Sequence, residues 1–236
     1  MVKSELIQRS PIRIFEKTIH GGLKPGETGV IASPNGVGKT SVLVQLALDK
    51  LLQGKKVIHV SFTQHTHHIF AWYEDIFNEF INKKNLEDAP DVKNELVKNR
   101  VSMNFNQDGV TKSQIIRSLR AMIMEGGFKA DSIIIDGFDF ARLPDGKEDM
   151  TLVKNFATEM GVSVWYSCSV KDNGAQYDKE NIPVVLGGFV DQFDVVIILQ
   201  PKTDHVELSI SKDRDSIISK SMAMKLDPKT LLILEK

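Results

Sequence analysis

The stretch Ser33-Pro34-Asn35-Gly36-Val37-Gly38-Lys39-Thr40 constrains this chain more than any other segment. An apolar run, Gly29 to Ala32, leads into it, and an amphipathic segment, Ser41 to Leu52, leads out. A strand that passes through a glycine-rich loop into a helix can turn its main-chain amides inward as a phosphate cradle. Gly36 and Gly38 permit the tight backbone path, and a helix starting near Lys39 contributes its partly positive end. The cofactor-binding set on this reading is Pro34, Asn35, Gly36, Val37, Gly38, Lys39, Thr40 and Ser41. Lys39 reaches the outer phosphates and the Thr40 hydroxyl sits on Mg²⁺. The first position of such a loop is normally glycine and is Ser33 here, so a glycine-rich turn with an incidental Gly-Lys-Thr is the alternative.

Hydropathy patterning supplies the frame around the loop. Lys56 to Phe62 reads as a buried strand, and Ile69, Trp72, Tyr73, Ile76, Phe77, Phe80 and Ile81 recur at helical spacing. Lys83 to Lys98 is charged and reads as a surface excursion, partly helical. Val101, Met103 and Phe105 alternate as a short strand, and Thr111 with Gln114 forms a capping box for a helix ending at Gly126-Gly127. Ser132 to Asp136 is a strand, Leu152 to Met160 a helix, and Val162 to Cys168 and Val195 to Leu199 are further strands. Apolar strands alternating with helices imply an α/β fold whose mostly parallel sheet is covered on both faces. The tail, Val206 to Ile210, Met222 to Leu226 and Leu231 to Leu234, reads as an antiparallel extension of that sheet.

The chain has 236 residues, enough for a single α/β domain over 1–236. Its formal net charge of −1 lacks the basic field of many duplex-binding proteins, so charge does not point to nucleic acid. The single cysteine, Cys168, has no partner in the chain, and no apolar run is long enough to span a bilayer. Both fit a cytoplasmic protein with no membrane contact.

Asp136 ends the strand Ile133-Ile134-Ile135, at the edge where ligands of open α/β sheets bind. A carboxylate there can hold Mg²⁺, usually through water; a turn-starting Asp before Gly137 is the plainer alternative.

With these pieces placed, the chain resembles the RecA-like P-loop ATPases, in particular the branch of KaiC and the DnaB helicases. The lead-in Gly21-Gly22-Leu23-Lys24-Pro25-Gly26-Glu27 is similar to that branch's approach to the loop. Ser211-Lys212-Asp213-Arg214 resembles its K-x-R element, and Leu226-Asp227-Pro228-Lys229-Thr230 its closing turn. The resemblance implies a RecA-like three-layer αβα domain, ATP and Mg²⁺ as cofactors, and assembly into a ring or filament. It also implies a trans role, in which Lys212 and Arg214 neutralise charge on a neighbour's γ-phosphate.

The pattern departs from the family at two places. The catalytic glutamate of relatives falls at Thr63 or Gln64, of which Gln64 can still orient a water. The polar residue ending the Val162 to Cys168 strand falls on Ser169, shorter than the usual glutamine. Losing a water-activating group costs on the order of 10²- to 10⁴-fold. The expected catalytic set is therefore Lys39, Gln64, Lys212 and Arg214, with weak or absent hydrolysis. His65, His67 and His68 lack a carboxylate or cysteine partner in sequence and read as a solvated cluster, with His65 the candidate surrogate base. The loop Lys171 to Pro183 carries Lys171, Tyr177 and Lys179 among acidic residues, and Tyr177 is the candidate for stacking on a base. Two functions follow from the resemblance: a KaiC-like, nucleotide-dependent oligomeric regulator, or a single-stranded-DNA-dependent ATPase. A scaffold whose loop binds no nucleotide is the third.

Overall fold

The computed structural model describes residues 2–8, 10–63, 65–83, 90–106, 108–143, 146–170 and 176–236. Two short helices, α1 (Val2–Gln8) and α2 (Ile12–Thr18), precede β1 (Thr28–Ser33) and α3 (Lys39–Leu52). Then come β2 (Val57–Ser61), α4 (Thr66–Lys83), α5 (Pro90–Lys98), β3 (Arg100–Asn104), α6 (Lys112–Met124), β4 (Ser132–Asp136), α7 (Gly146–Met160) and β5 (Ser163–Ser169). The chain closes with β6 (Val195–Pro201), β7 (Val206–Asp213), β8 (Ser216–Leu226) and β9 (Ile233–Glu235).

These strands form one sheet in the order β3-β2-β4-β5-β1-β6-β7-β8-β9. From β3 to β6 every pairing is parallel, and β7, β8 and β9 add antiparallel strands at one side. Because successive side chains of a strand point to opposite faces, the buried runs feed two cores at once. Ile31, Val57, Ile134 and Trp165 pack against α3 and α4, with Leu6, Ile12 and Phe15 of the first two helices in the same cluster. Val30, Ile58, Ile133 and Tyr166 pack on the other face with Leu119 of α6 and Phe156 of α7. The result is an α/β fold with helices on both faces of a mostly parallel sheet.

Most expected elements lie where the patterning put them. The capping box of α6 is present, Gln114 N donating to Thr111 Oγ1 at 3.2 Å and Thr111 N to Gln114 Oε1 at 2.8 Å. Two elements start earlier than their apolar pattern: α7 at Gly146 rather than Leu152, and β8 at Ser216 rather than Met222. In both, the added residues are mostly polar, so hydropathy could not mark them. No helix among the described residues is long and apolar enough to cross a membrane.

Candidate functional site

All parallel strands end at the same sheet edge, and β1, β2, β4 and β5 bring their last residues together there. Ser33 of β1 pairs with Ser169 of β5, and Ser61 of β2 with Asp136 of β4. Since β5 lies between β1 and β4, the loop after β1 faces Asp136 across one strand.

The loop takes the path its glycines allow. Gly36 has φ 75° and Gly38 φ 111°, left-handed values that a side chain resists. At Gly38 a Cβ would also meet the tip of the Leu226 side chain, which would have to shift, so torsion is the stronger reason for glycine there. Gly38 caps α3 without a side-chain bond, and the turn's first main-chain bond runs from Val42 N to Gly38 O at 3.1 Å. The opening amides of α3 thus face the cleft as donors with a helix dipole behind them.

Lys39 and Thr40 occupy the first turn. Lys39 is buried, and its Nζ donates to Ser33 O (3.1 Å), Ser33 Oγ (3.3 Å) and Pro34 O (2.9 Å). Burial lowers its pKa, while the charges of Cys168 and Asp136 act in the opposite sense. Thr40 Oγ1 donates to Asp136 Oδ2 at 2.8 Å, and Ser167 Oγ to Asp136 Oδ1 at 2.6 Å. Gly137 N donates in turn to Ser167 Oγ at 2.8 Å. Ser41 Oγ donates to Leu231 O, and Gln45 Nε2 donates to the same carbonyl at 2.9 Å. That clamp seats the turn after β8 against α3.

The cleft so formed has a volume of about 340 Å³ and is lined by Asn35, Gly36, Lys39, Thr40, Thr63 and Asp136 among others. Thr63, Trp72 and Leu231 are shared with an adjoining groove of about 680 Å³, which runs between α4 and residues 229–231. Such volumes are in the range of small-molecule sites. The donor set, one hydroxyl and one carboxylate, suits a hard cation that keeps most of its water. Among the described residues no cluster of His, Cys, Asp and Glu could enclose a metal on its own.

Sequence reasoning placed Lys39, Thr40 and Asp136 in one constellation, and the structure brings them together. It missed Ser167, whose signal was available: Ser167 lies two residues before Ser169, on the same face of the strand beside β4. It also missed His59, buried on β2, whose Nδ1 is 3.0 Å from Tyr73 Oη. Burial is the main force that pushes the His59 pKa down to about 4, with the charge of Asp136 opposing and that of Arg100 assisting. His65 and His67 stack at 5.9 Å between ring centroids, exposed at the start of α4. Gln64 lies outside the described residues, as do Lys171 to Ala175. Tyr177 is half-buried against the core of the second face with its hydroxyl enclosed, rather than displayed for stacking.

Lys212 and Arg214 lie elsewhere. Strand β7 runs antiparallel to β6, so Asp213 pairs with Val195 at the opposite edge of the sheet from the glycine-rich loop. Lys212 is buried and donates to Phe193 O and to Val190 O (3.3 Å). Arg214 follows the strand at φ 53° and bonds Ile19 O (2.7 Å), Gly22 O (2.7 Å), Glu27 Oε2 (2.8 Å) and Asp213 Oδ1 (2.5 Å). The expected pairing on one strand face is therefore not what the chain adopts: Lys212 turns into the interior and Arg214 staples a turn. No protein-family model matches this chain, and no curated protein matches it.

Proposed function

We propose that the cleft binds a nucleoside triphosphate with Mg²⁺, in a RecA-like three-layer P-loop domain that serves as a nucleotide-dependent oligomeric regulator with weak or absent hydrolysis. One observation carries the reading: Lys39 and Thr40, in the first turn of α3, share a cleft with Asp136 at the carboxyl edge of a parallel sheet. Amides and Lys39 supply positive potential for the outer phosphates. Thr40 and Asp136 are the residues that hold Mg²⁺, which when bound offsets the phosphate charge. The adjoining groove beside Trp72 gives the nucleoside room.

Weak turnover follows from the chemistry of the described lining, in which Asp136 is the carboxylate and already accepts from Thr40 and Ser167. Thr63, two residues past β2, cannot serve as a proton acceptor of comparable strength. The reading of a DNA-stimulated ATPase has less support, because Tyr177 packs inward and Lys212 and Arg214 spend their donors inside the chain.

Titration calorimetry with Mg-ATP, paired with mass measurement in solution, tests this. The native chain should bind and gain mass by self-association, with turnover far below ordinary ATPases. Lys39→Ala should weaken binding on the order of 100-fold, the worth of one or two bonds to a charged group. Absence of binding by the native chain, or equal binding by the variant, refutes the proposal.

A further inference from the structure

Ser33 occupies the position that is glycine in the general P-loop pattern, and its hydroxyl is engaged by Lys39 Nζ, the ammonium that the proposed site offers to phosphate. Ser33 is fully buried, and its Oγ donates to Pro34 O at 2.8 Å, which leaves its lone pairs for Lys39 Nζ at 3.3 Å. Lys39 Nζ also reaches Ser33 O at 3.1 Å and Pro34 O at 2.9 Å. An ammonium has three donors, so this set occupies all of them. A glycine at this position would leave the carbonyls in place and remove one acceptor of the three.

We infer that Ser33 is a positioning residue, a latch that holds Lys39 against the loop's own carbonyls and lowers the site's affinity for polyphosphate. Every arriving anion must draw Lys39 off a serine hydroxyl as well as off main-chain oxygens. The conformational cost is subtracted from binding, because a competent state that is only partly populated weakens the apparent affinity in proportion. Ser33 sits in β1 with Ser169 as its neighbour, and its side chain lies on the face toward α3, so the contact is a property of the folded strand rather than of a free loop. The inference rests on the proposed nucleotide site and concerns how tightly that site is set.

Ser33→Ala retains a β carbon on the strand and deletes only the hydroxyl; Ser33→Thr keeps the hydroxyl on a residue that favours strands. By calorimetry with Mg-ATP and, separately, with inorganic tripolyphosphate, Ser33→Ala should bind roughly three- to tenfold tighter than the native chain, the net worth of one hydrogen bond. Ser33→Thr should stay within about twofold of native. Thermal melting of all three proteins accompanies the titrations. Tighter binding by Ser33→Ala without a gain in Ser33→Thr supports the latch, including where only Ser33→Ala binds measurably. Native-chain binding with Ser33→Ala unchanged or weaker overturns it while leaving the nucleotide site standing. No binding by any of the three refutes both.

Discussion

The two edges of one sheet use the same residue types to opposite ends. At the carboxyl edge a lysine, a threonine and an aspartate surround an open cleft, where Lys39 bonds its own loop and Thr40 bonds Asp136. At the amino edge the charged groups tie distant segments together. Asp194 Oδ2 accepts from Thr28 N at 2.7 Å, and its Oδ1 accepts from Lys154 Nζ at 3.0 Å. Arg214 gathers Ile19, Gly22 and Glu27 from the lead-in to β1. The first edge keeps polar groups where a ligand can recruit them, and the second spends them on the fold. A charge's role here is decided by which end of a parallel strand it occupies.

The largest expected effect therefore belongs to the amino edge, and it is on stability. Arg214→Ala strips the buried Asp213 of its guanidinium, leaving it only His20 Nδ1 at 2.6 Å, and takes the side-chain donor from the main-chain oxygens of Ile19 and Gly22. Breaking such a pair costs about 3–5 kcal/mol, readable by urea unfolding, while affinity for Mg-ATP should stay within about twofold. A variant with native stability that has lost nucleotide-dependent assembly would reverse the comparison and give Arg214 back the trans role that the resemblance implies.

The next effect divides the edges by pH. His59 lies two register pairs below Ser61 and Asp136, and its Nε2 is buried with no hydrogen-bond partner among the described residues. Protonation would create a second N–H with no acceptor, which is why burial lowers the pKa from 6.5 to about 4. The unfolded chain then binds more protons than the folded one between those values. Stability from this residue is complete above pH 6.5 and is lost as pH falls through the window toward about 4, by about 3 kcal/mol in all. Urea midpoints of His59→Asn should be flatter than native across that interval. Equal slopes would show that His59 is not the group that titrates.

How much of this was legible follows from distance along the chain. The glycine-rich loop is local: strand, glycines, lysine and helix lie within 28–52, so composition and periodicity expose them together. Asp136 was legible because it ends a local apolar run, Ile133 to Ile135, that follows the glycine-rich loop in the chain. Lys212 and Arg214 were read as an alternating pair, but apart from Asp213 the partners they bond are 19 to 195 residues away in sequence, and no local pattern encodes those bonds. The same holds for Leu231, at φ 58°, whose carbonyl takes bonds from Ser41 and Gln45. Tyr177 was read as a candidate for stacking on a base, whereas its ring packs, partly buried, against the core of the second face.

The smallest expected effect, and the sharpest for the carboxyl edge, concerns Asp136. Its oxygens accept from Thr40 at 2.8 Å and Ser167 at 2.6 Å, bonds that an asparagine could half reproduce. Asp136→Asn therefore perturbs the fold little and removes mainly the negative charge. If that charge serves the cation, Mg²⁺ should tighten ATP binding to the native chain about tenfold more than to the variant, and with EDTA the two should agree within about twofold. A variant that loses affinity equally with and without Mg²⁺ would mean that Asp136 acts by holding Thr40 and the loop in place. In that case the edge would be built like its opposite, with its carboxylate committed to structure.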